Sequence, residues 1–247
     1  MPRRDRVALV AGGSRGIGKG IALRLAREGA RVVIAYRSNK TAAQNALRQL
    51  QAQGAEVFAV ETDVTDAARA EALVQTVLER TGRLDVLVNS VGNFRWGLVA
   101  DSPLEEWREI LSSNLFSVLY ASRAALGPMR RQRWGRIINL GAVGAERGFG
   151  QAKISAYAAA KAAVVALTRS LAIEEAKYGI TVNVVSPSTI DEKELTLAEA
   201  RRIRDLRVPV GRPPTIEDVA TAAAFFASEE ADYITGQVLT VSGGWLL

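Results

Sequence analysis

Near the start of the chain stand Val7-Ala8-Leu9-Val10-Ala11-Gly12-Gly13-Ser14-Arg15-Gly16-Ile17-Gly18, an apolar run followed by a glycine-rich turn. The apolar run is too short for a helix and predicts a buried parallel strand. Beyond the turn, apolar residues recur at helical spacing up to Gly29, which predicts a helix that ends there. Glycines let backbone N–H groups approach an anion, and a helix N-terminus adds partial positive charge. The stretch predicts a phosphate cradle; an ordinary tight strand–helix connection is the alternative.

The rest of the chain alternates between short apolar segments and longer amphipathic segments. Strands are predicted over residues 31–36, 55–60, 84–88, 136–140, 180–185 and 237–241, and helices over 41–53, 67–81, 103–132, 156–177 and 215–227, with a break near Gly127-Pro128. This alternation predicts a single α/β domain over residues 1–247, a Rossmann fold with a doubly wound parallel sheet of about seven strands and helices on both faces. In such a fold, ligands lie at the carboxyl ends of the strands.

Composition excludes several kinds of chemistry. The chain has no cysteine and no histidine, so disulfides, thiolate nucleophiles and Ser-His-Asp triads are excluded, and proton transfer must use Tyr, Lys, Asp, Glu or water. No apolar stretch approaches the roughly 18 residues that span a membrane. The N-terminus shows no signal-peptide pattern, which favours a cytoplasmic protein. The net charge of +6 comes from scattered basic residues and indicates attraction for anionic cofactors rather than nucleic acid binding.

Tyr157 and Lys161 are four residues apart and share one face of a predicted helix. A free tyrosine has a pKa of about 10 and is a poor base at neutral pH. A nearby lysine ammonium, together with a positively charged oxidised nicotinamide, would favour the phenolate and lower that pKa. The pair therefore predicts a proton donor or acceptor for a carbonyl/alcohol interconversion. The alternative is an amphipathic helix that happens to place a tyrosine and a lysine one turn apart.

Together these motifs resemble those of the short-chain dehydrogenase/reductase family, particularly its 3-oxoacyl-carrier-protein-reductase-like members. The segment 11–18 is similar to the family's T-G-x-x-x-G-x-G, with Ala for Thr, and residues 157–161 match Y-x-x-x-K. Later landmarks also correspond, at 180–187, 233–237 and Gly243-Gly244. The resemblance covers nearly the whole chain. It implies an oxidoreductase in which Tyr157 and Lys161 are catalytic and Asn114, in the long central helix, helps to hold a proton-relay water.

The end of the second predicted strand bears on the choice of cofactor. Members of the family that prefer NAD place an acid there to bind the ribose 2′-hydroxyl. Here that end reads Tyr36-Arg37-Ser38, without an acid, and Arg15 lies in the glycine turn. Two guanidiniums suit a 2′-phosphate, which favours NADP (NADPH). The cofactor contacts that the motifs and the resemblance imply are Gly12, Ser14, Arg15, Gly16, Ile17, Gly18, Arg37, Ser38, Asp63, Val64, Asn89, Gly92, Tyr157, Lys161, Pro187 and Ile190.

Three departures from the family pattern stand out. The family's N-N-A-G reads Asn89-Ser90-Val91-Gly92, and its P-G reads Pro187-Ser188, with Glu192 at the place of a threonine that usually contacts the cofactor. Alignment of the predicted strand 136–140 places Ala142 where the family has its catalytic serine. The serine hydroxyl normally hydrogen-bonds the substrate oxygen, and loss of one such donor costs roughly a hundred- to a thousandfold in rate. Ser155 is the nearest hydroxyl in sequence, but helical geometry directs it away from Tyr157.

Two interpretations follow from this pattern. The first is an NADPH-dependent oxidoreductase that transfers a hydride to a carbonyl or C=N substrate, with Tyr157 as the proton donor. The second is a catalytically impaired NADP(H)-binding protein that acts as a sensor or structural partner. The substrate is a small molecule whose identity the sequence does not give. Its site could use aromatic side chains or basic ones: Phe94, Trp96, Phe149, Trp245, Arg95, Arg147 and Lys153.

The two longest predicted helices, over 103–132 and 156–177, bear on assembly. The second carries the small residues Ala159, Ala163, Ala166 and Ser170, which permit close approach of another helix. Relatives in the family pair these helices across a two-fold axis, an isologous contact. The resemblance therefore implies a homotetramer. The scattered basic residues and the lack of a long apolar stretch predict no nucleic acid and no membrane among its partners.

Overall fold

The computed structural model, which describes residues 6–148, 150–190 and 195–246, contains a seven-stranded sheet in the order β3-β2-β1-β4-β5-β6-β7. Every neighbouring pair of strands is parallel. The strands are β1 (Val7–Ala11), β2 (Arg31–Tyr36), β3 (Val57–Glu61), β4 (Val86–Asn89), β5 (Gly135–Leu140), β6 (Ile180–Pro187) and β7 (Val238–Val241). The strand order reverses between β1 and β4, which creates a crevice at their carboxyl ends. The fold predicted from the sequence is confirmed.

Helices cover both faces of the sheet. They are α1 (Gly16–Arg27), α2 (Lys40–Gln51), α3 (Ala67–Thr81), α4 (Leu104–Leu111), α5 (Ser117–Gln132), α6 (Ser155–Glu175), α7 (Leu197–Ala200) and α8 (Ile216–Ala227). One apolar cluster lies between the sheet and α1, α2 and α8, and a second lies between the sheet and α3, α5 and α6. In β1, Ala8 and Val10 face the first cluster, while Val7, Leu9 and Ala11 face the second. All of β1 is buried, as expected for a central parallel strand.

The predicted helix over 103–132 is divided, but the expected position of the break is wrong. Gly127 and Pro128 lie inside α5, which continues through them to Gln132. The division occurs instead at a π-helical turn, Ser112–Phe116, between α4 and α5. Asn114 lies at the middle of this turn and is completely buried. Such turns widen the helix by one residue and are frequent at functional sites.

A chain of buried side-chain hydrogen bonds joins the carboxyl ends of the central strands to two helices. Asn89 Nδ2 on β4 donates to Ser122 Oγ on α5 (3.1 Å) and to Asn139 Oδ1 on β5 (2.8 Å). Asn139 Nδ2 in turn donates to Thr168 Oγ1 on α6 (2.8 Å). All four residues are buried. A buried polar group that loses its partner costs roughly 1–3 kcal/mol, so this chain fixes α5 and α6 against the strand ends.

At the other end of the sheet, a buried carboxylate joins β1 to β4. Asp85, just before β4, is fully buried, and its Oδ2 accepts the backbone N–H of Val7 (2.8 Å). The same carboxylate accepts two hydrogen bonds from Arg83, at 2.7 and 2.6 Å. The start of the first strand is thereby fixed to a segment far away along the chain.

Candidate active site

A cavity of about 520 Å³ lies at the carboxyl ends of the strands. Its wall contains most of the residues predicted from the sequence, namely Gly12, Ser14, Arg15, Gly16, Ile17, Gly18, Arg37, Ser38, Asp63, Val64, Gly92, Asn114, Tyr157, Lys161 and Pro187. The wall also contains polar residues to which the sequence analysis assigned no role: Asn39, Thr62, Thr65, Ser90, Asn93 and Ser113. The parallel topology therefore brings together segments that are up to about 175 residues apart in the chain.

Two of the predicted cofactor contacts lie outside the cavity wall. The amide of Asn89 is used by the buried chain that joins β4 to α5 and β5. Ile190 packs against the apolar cluster on the side of α1 and α8. For these two residues the cofactor contact stays a prediction. Phe149 and Glu192, also considered in the sequence, lie outside the described residues.

The glycine turn after β1 is shaped by close backbone approaches. A Cβ atom on Gly18 would lie 2.3 Å from the carbonyl oxygen of Gly12. Gly12 itself has a φ of +81°, and a Cβ there would lie 2.6 Å from the carbonyl oxygen of Ser90. In the part of the chain that the structure describes, no side chain caps the N-terminus of α1, and its first turn carries no acid. The unpaired N–H groups of α1 therefore fit a phosphate group.

Two exposed arginines lie at one end of the cavity. Arg15 directly precedes α1, and Arg37 directly follows β2. Asp63 lines the same end, where burial raises its pKa, but hydrogen bonds from Thr65 and the charges of Arg37 and Arg69 hold that pKa below its ordinary value. Its Oδ1 accepts the backbone N–H (3.0 Å) and the hydroxyl (2.7 Å) of Thr65. This carboxylate is therefore ionised at neutral pH and already hydrogen-bonded within the chain.

The structure reveals an acid beside β2 that the sequence analysis did not anticipate. Glu61, the last residue of β3, is in register with Tyr36, the last residue of β2. Its Oε2 lies 3.4 Å from the hydroxyl of Tyr36 and 3.3 Å from Nζ of Lys40. Glu61 is not part of the cavity wall. The register of β2 and β3 places this acid next to the strand end, and its partners there are Tyr36 and Lys40.

Tyr157 and Lys161 lie one turn apart on α6, as predicted, and both line the cavity. Lys161 is 4% exposed, and its Nζ donates a hydrogen bond to the carbonyl of Leu140 at the end of β5 (2.7 Å). The Nζ atom lies 5.5 Å from the centre of the Tyr157 ring. This arrangement places an ammonium and a phenol side by side at the end of the central strands.

Burial shifts the two groups in opposite directions, because it disfavours the charged form of each. It raises the pKa of Tyr157 to about 12 and lowers the pKa of Lys161 to about 8. In the protein without cofactor, burial of the phenol therefore dominates its pKa; a lowering by Lys161 together with an oxidised nicotinamide stays a prediction. Tyr157 stays protonated at neutral pH, which is the form that a proton donor requires.

Asn114, at the centre of the π-helical turn, contributes an unpaired acceptor. Its Nδ2 donates to the carbonyls of Asn93 (2.8 Å) and Ile110 (3.1 Å). Its Oδ1 is buried and has no hydrogen-bond partner within the described chain. A Cβ atom on Gly92 would lie 2.3 Å from this Oδ1, so only glycine fits at that point of the cavity wall. An unpaired acceptor of this kind suits a bound water, in line with the role that the resemblance implies.

The hydroxyls around Ala142 are arranged differently from those of the family pattern. Ala142 lies two residues after the end of β5 and is not part of the cavity wall. Ser155, the first residue of α6, is not part of it either. On β6, however, Ser186 Oγ lies only 2.4 Å from the position of a Cβ on Gly141. The hydroxyls of Ser186 and Ser188 are both buried, without a partner among the described residues. The sequence alone does not reveal that Ser186 lies beside Gly141, because this contact depends on the register of β5 with β6.

Comparison with known proteins gives a consistent result. The family model described as Enoyl-(Acyl carrier protein) reductase matches residues 11–246. The 3-oxoacyl-(acyl-carrier-protein) reductase FabG of Staphylococcus aureus is 41% identical over 240 residues, which cover 96% of each chain. Two solved structures each have a TM-score of 0.89 and cover 98% of this chain and 96% of their own. They are a short-chain alcohol dehydrogenase described as putative, from Sinorhizobium meliloti (30% identical), and acetoin dehydrogenase of Salmonella typhimurium (31% identical).

We predict that Lys161→Met removes a pH-dependent part of the stability. Burial lowers the pKa of Lys161 to about 8, whereas its ordinary value is 10.5. Between these values the unfolded state binds more protons than the folded state, so this group makes the parent more stable as the pH rises. From pH 8 to pH 10 the gain is roughly 2 kcal/mol. Urea unfolding gives the free energy of unfolding of parent and variant at both pH values. The gain appears as a change, between pH 8 and pH 10, in the difference between these two free energies.

Lys177→Met is the matched control, because Lys177 is exposed at the far end of the same helical segment. Its difference from the parent is expected to stay nearly constant between the two pH values. An equally constant difference for Lys161→Met would contradict the assigned effect of burial.

Proposed function

The chain belongs to the short-chain dehydrogenase/reductase family, and from that premise we propose that it is an NADPH-dependent reductase of a carbonyl or C=N substrate. The observation that carries the proposal is the shared cavity. Tyr157 and Lys161 line one part of it, and the glycine turn with Arg15 and Arg37 lines another. When bound, NADPH supplies the hydride. The relatives include a 3-oxoacyl-(acyl-carrier-protein) reductase, which supports reduction as the reaction.

The residues of this chain would hold and deliver the proton. Tyr157, whose pKa burial raises to about 12, carries its proton at neutral pH and donates it to the substrate oxygen or nitrogen. Lys161 has three N–H donors, of which one binds the carbonyl of Leu140, so two remain for the cofactor ribose and for the phenol. The unpaired Oδ1 of Asn114 would hold the water that returns the proton to Tyr157.

The preference for NADPH over NADH rests on the charges around the expected position of the ribose 2′-phosphate of the cofactor. Arg15 and Arg37 line the cavity, and both are exposed, so their guanidiniums can reach a phosphate. The nearby acids have partners within the chain, Thr65 for Asp63 and Lys40 for Glu61. NADP is therefore the cofactor that we propose.

Ala142 limits the rate that this site is expected to reach with ordinary ketones. The resemblance places the catalytic serine there, and alanine has no hydroxyl to bind a developing oxyanion. The second interpretation, an impaired NADP(H)-binding sensor or structural partner, follows from the same substitution. The comparisons lend it no support, whereas the retained Tyr157, Lys161 and Asn114 favour turnover.

We also propose a cytoplasmic homotetramer, on the basis of α6. By length and composition alone, residues 155–178 could cross a membrane, but α6 carries the buried Lys161 and packs against β6. Its other face is open: Ala159, Ala166 and Ser170 are exposed, and Ile173 is 82% exposed. With the half-buried Ala163 between Ala159 and Ala166, these residues recur every three or four positions. They form one stripe of small and apolar side chains, which suits a close two-fold contact with α6 of a second copy.

The cofactor proposal predicts a selective effect of Arg37→Ala. The variant loses charge-assisted hydrogen bonds to the 2′-phosphate, so NADPH should bind about ten- to a hundredfold more weakly, while NADH binding stays nearly constant. Fluorescence titration with both cofactors measures this. Arg48→Ala, which removes an exposed arginine of α2 outside the cavity, serves as the control. An equal loss for both cofactors would exclude a 2′-phosphate site at Arg37.

The mechanism predicts opposite effects of two substitutions. Tyr157→Phe removes the transferable proton, so turnover should fall by at least about a hundredfold with little change in NADPH binding.

Ala142→Ser restores a donor near the oxyanion and should speed reduction of generic ketones by roughly tenfold or more. Nicotinamide absorbance with a carbonyl and pterin panel measures both. Full activity of Tyr157→Phe would overturn the mechanism. An inert parent that gains activity with Ala142→Ser would favour the sensor.

The assembly proposal predicts that Ile173→Glu dissociates the tetramer. A carboxylate within an apolar two-fold contact would face the same carboxylate of the second copy, and like charges at close range repel. Light scattering at micromolar concentration should give four chains for the parent and a smaller assembly for the variant. Glu174→Gln, which changes the neighbouring exposed residue, is the control. A monomeric parent would refute the proposal.

A further inference from the structure

Two exposed aromatic side chains extend outward from Tyr157. The ring of Phe94 lies edge-on to the ring of Tyr157, with centroids 5.0 Å apart and an interplanar angle of 79°. The ring of Trp96 lies edge-on to Phe94, again at 5.0 Å, with an angle of 84°. Phe94 lines the cavity and is 45% exposed, while Trp96 stands outside it and is 63% exposed. We call Phe94 and Trp96 the aromatic pair.

The backbone that carries the aromatic pair is fixed at three points. The backbone N–H of Asn93 donates to Ser113 Oγ (3.2 Å), and its side-chain Nδ2 donates to Glu109 (2.7 Å). The backbone N–H of Gly97 donates to the carbonyl of Lys153 (2.8 Å). The aromatic pair is therefore held in place on both sides, so a ligand that covers it need not order the segment first.

Two arginines that could have met an acidic group of the substrate have partners within the chain. Arg95 pairs with Glu109 at 3.3 Å. Arg147 pairs with Glu146 at 3.3 Å and donates to the carbonyl of Leu246 (2.7 Å). The expectation that these arginines meet an acidic group of the substrate is weakened by these contacts. Beside Tyr157 the cavity wall presents the apolar ring of Phe94, which Trp96 continues outside the cavity.

We propose that the aromatic pair binds an aryl group joined to the reacting carbonyl, so that the preferred substrates are aryl ketones. The inference rests on the proposed function, because it takes Tyr157 as the group that contacts the carbonyl oxygen. Phe94 touches the Tyr157 ring, so an aryl ring one or two bonds from the carbonyl carbon reaches the pair. Such a ring continues the edge-to-face series, which favours aromatic over aliphatic groups of equal area.

The reaction balances with the proposed cofactor. The carbonyl carbon takes a hydride from the reduced nicotinamide dinucleotide, and the carbonyl oxygen takes the proton of Tyr157. The products are the aryl-substituted alcohol and the oxidised cofactor, and a proton from solvent restores Tyr157. No further oxidant or reductant is needed.

Binding of two ketones of similar apolar size tests the inference. 2-Acetylnaphthalene and 2-decanone are measured by equilibrium dialysis against the full chain, with and without the oxidised cofactor NADP, which cannot reduce them. The parent should bind the aryl ketone at least about fivefold more tightly than the alkyl ketone. Trp96→Leu removes the aromatic ring and should lose that preference, whereas Trp96→Phe retains a ring and should keep most of it. Both substitutions are made at an exposed position, so both variants are expected to fold. Reduction of each ketone is followed separately by nicotinamide absorbance.

Tyr233→Leu is the matched control, because Tyr233 is 99% exposed and is not in the cavity wall. It should leave both affinities unchanged. Selective aryl binding without turnover would support the aromatic pair while refuting the reductase. Equal binding of both ketones, no binding of 2-acetylnaphthalene, or unchanged selectivity in Trp96→Leu would overturn the inference. A smaller assembly of Trp96→Leu by size-exclusion chromatography, with affinities unchanged, would also overturn it and assign the pair to a contact between copies.

Discussion

The hydrogen bond between Asn89 and Asn139 joins the carboxyl ends of β4 and β5, and the geometry of the cavity depends on it. Its two amides continue to Ser122 on α5 and Thr168 on α6, so movement of either helix leaves a buried donor or acceptor unpaired. Buried networks of this kind hold one arrangement because partial satisfaction is costly. The helix that carries the phenol and the ammonium is thereby positioned by side chains that are themselves buried. The position of Asn89 at this junction also accounts for its absence from the cavity wall.

The same burial that organises the helices determines the protonation of the site. Tyr157 and Lys161 are adjacent, yet each is shifted toward its neutral form. A site that holds a phenol neutral is prepared to give a proton, and an ammonium of lowered pKa loses its charge more readily than an exposed lysine does. Binding of anionic phosphates nearby would strengthen the charged form of Lys161. The burial of the phenol thus favours donation of a proton to a substrate over abstraction of one.

Sequence reasoning succeeded where the determinants are local and failed where they are not. The glycine turn and the pair Tyr157 and Lys161 follow from spacing within one turn or one helix, and the structure has both. The π-helical turn at Asn114 has no pattern of its own, because one extra residue per turn does not disturb the apolar periodicity enough to be seen. Glu61 and Ser186 lie close to the cavity through strand register, which depends on packing across the whole sheet. The edge-on contact of Phe94 with Tyr157 arises between segments about 60 residues apart.

The reversal of strand order also has a consequence for the growing polypeptide. On one side β1 pairs with β2, which follows soon after it, but its other partner, β4, is synthesised about 75 residues later, which takes roughly 4 to 15 seconds at ordinary translation rates. Until then one edge of Val7–Ala11, completely buried in the finished protein, has no strand beside it. An unpaired apolar edge is a template for wrong pairing with another nascent chain. Asp85, arriving directly before β4 and accepting the N–H of Val7, ends that exposed interval.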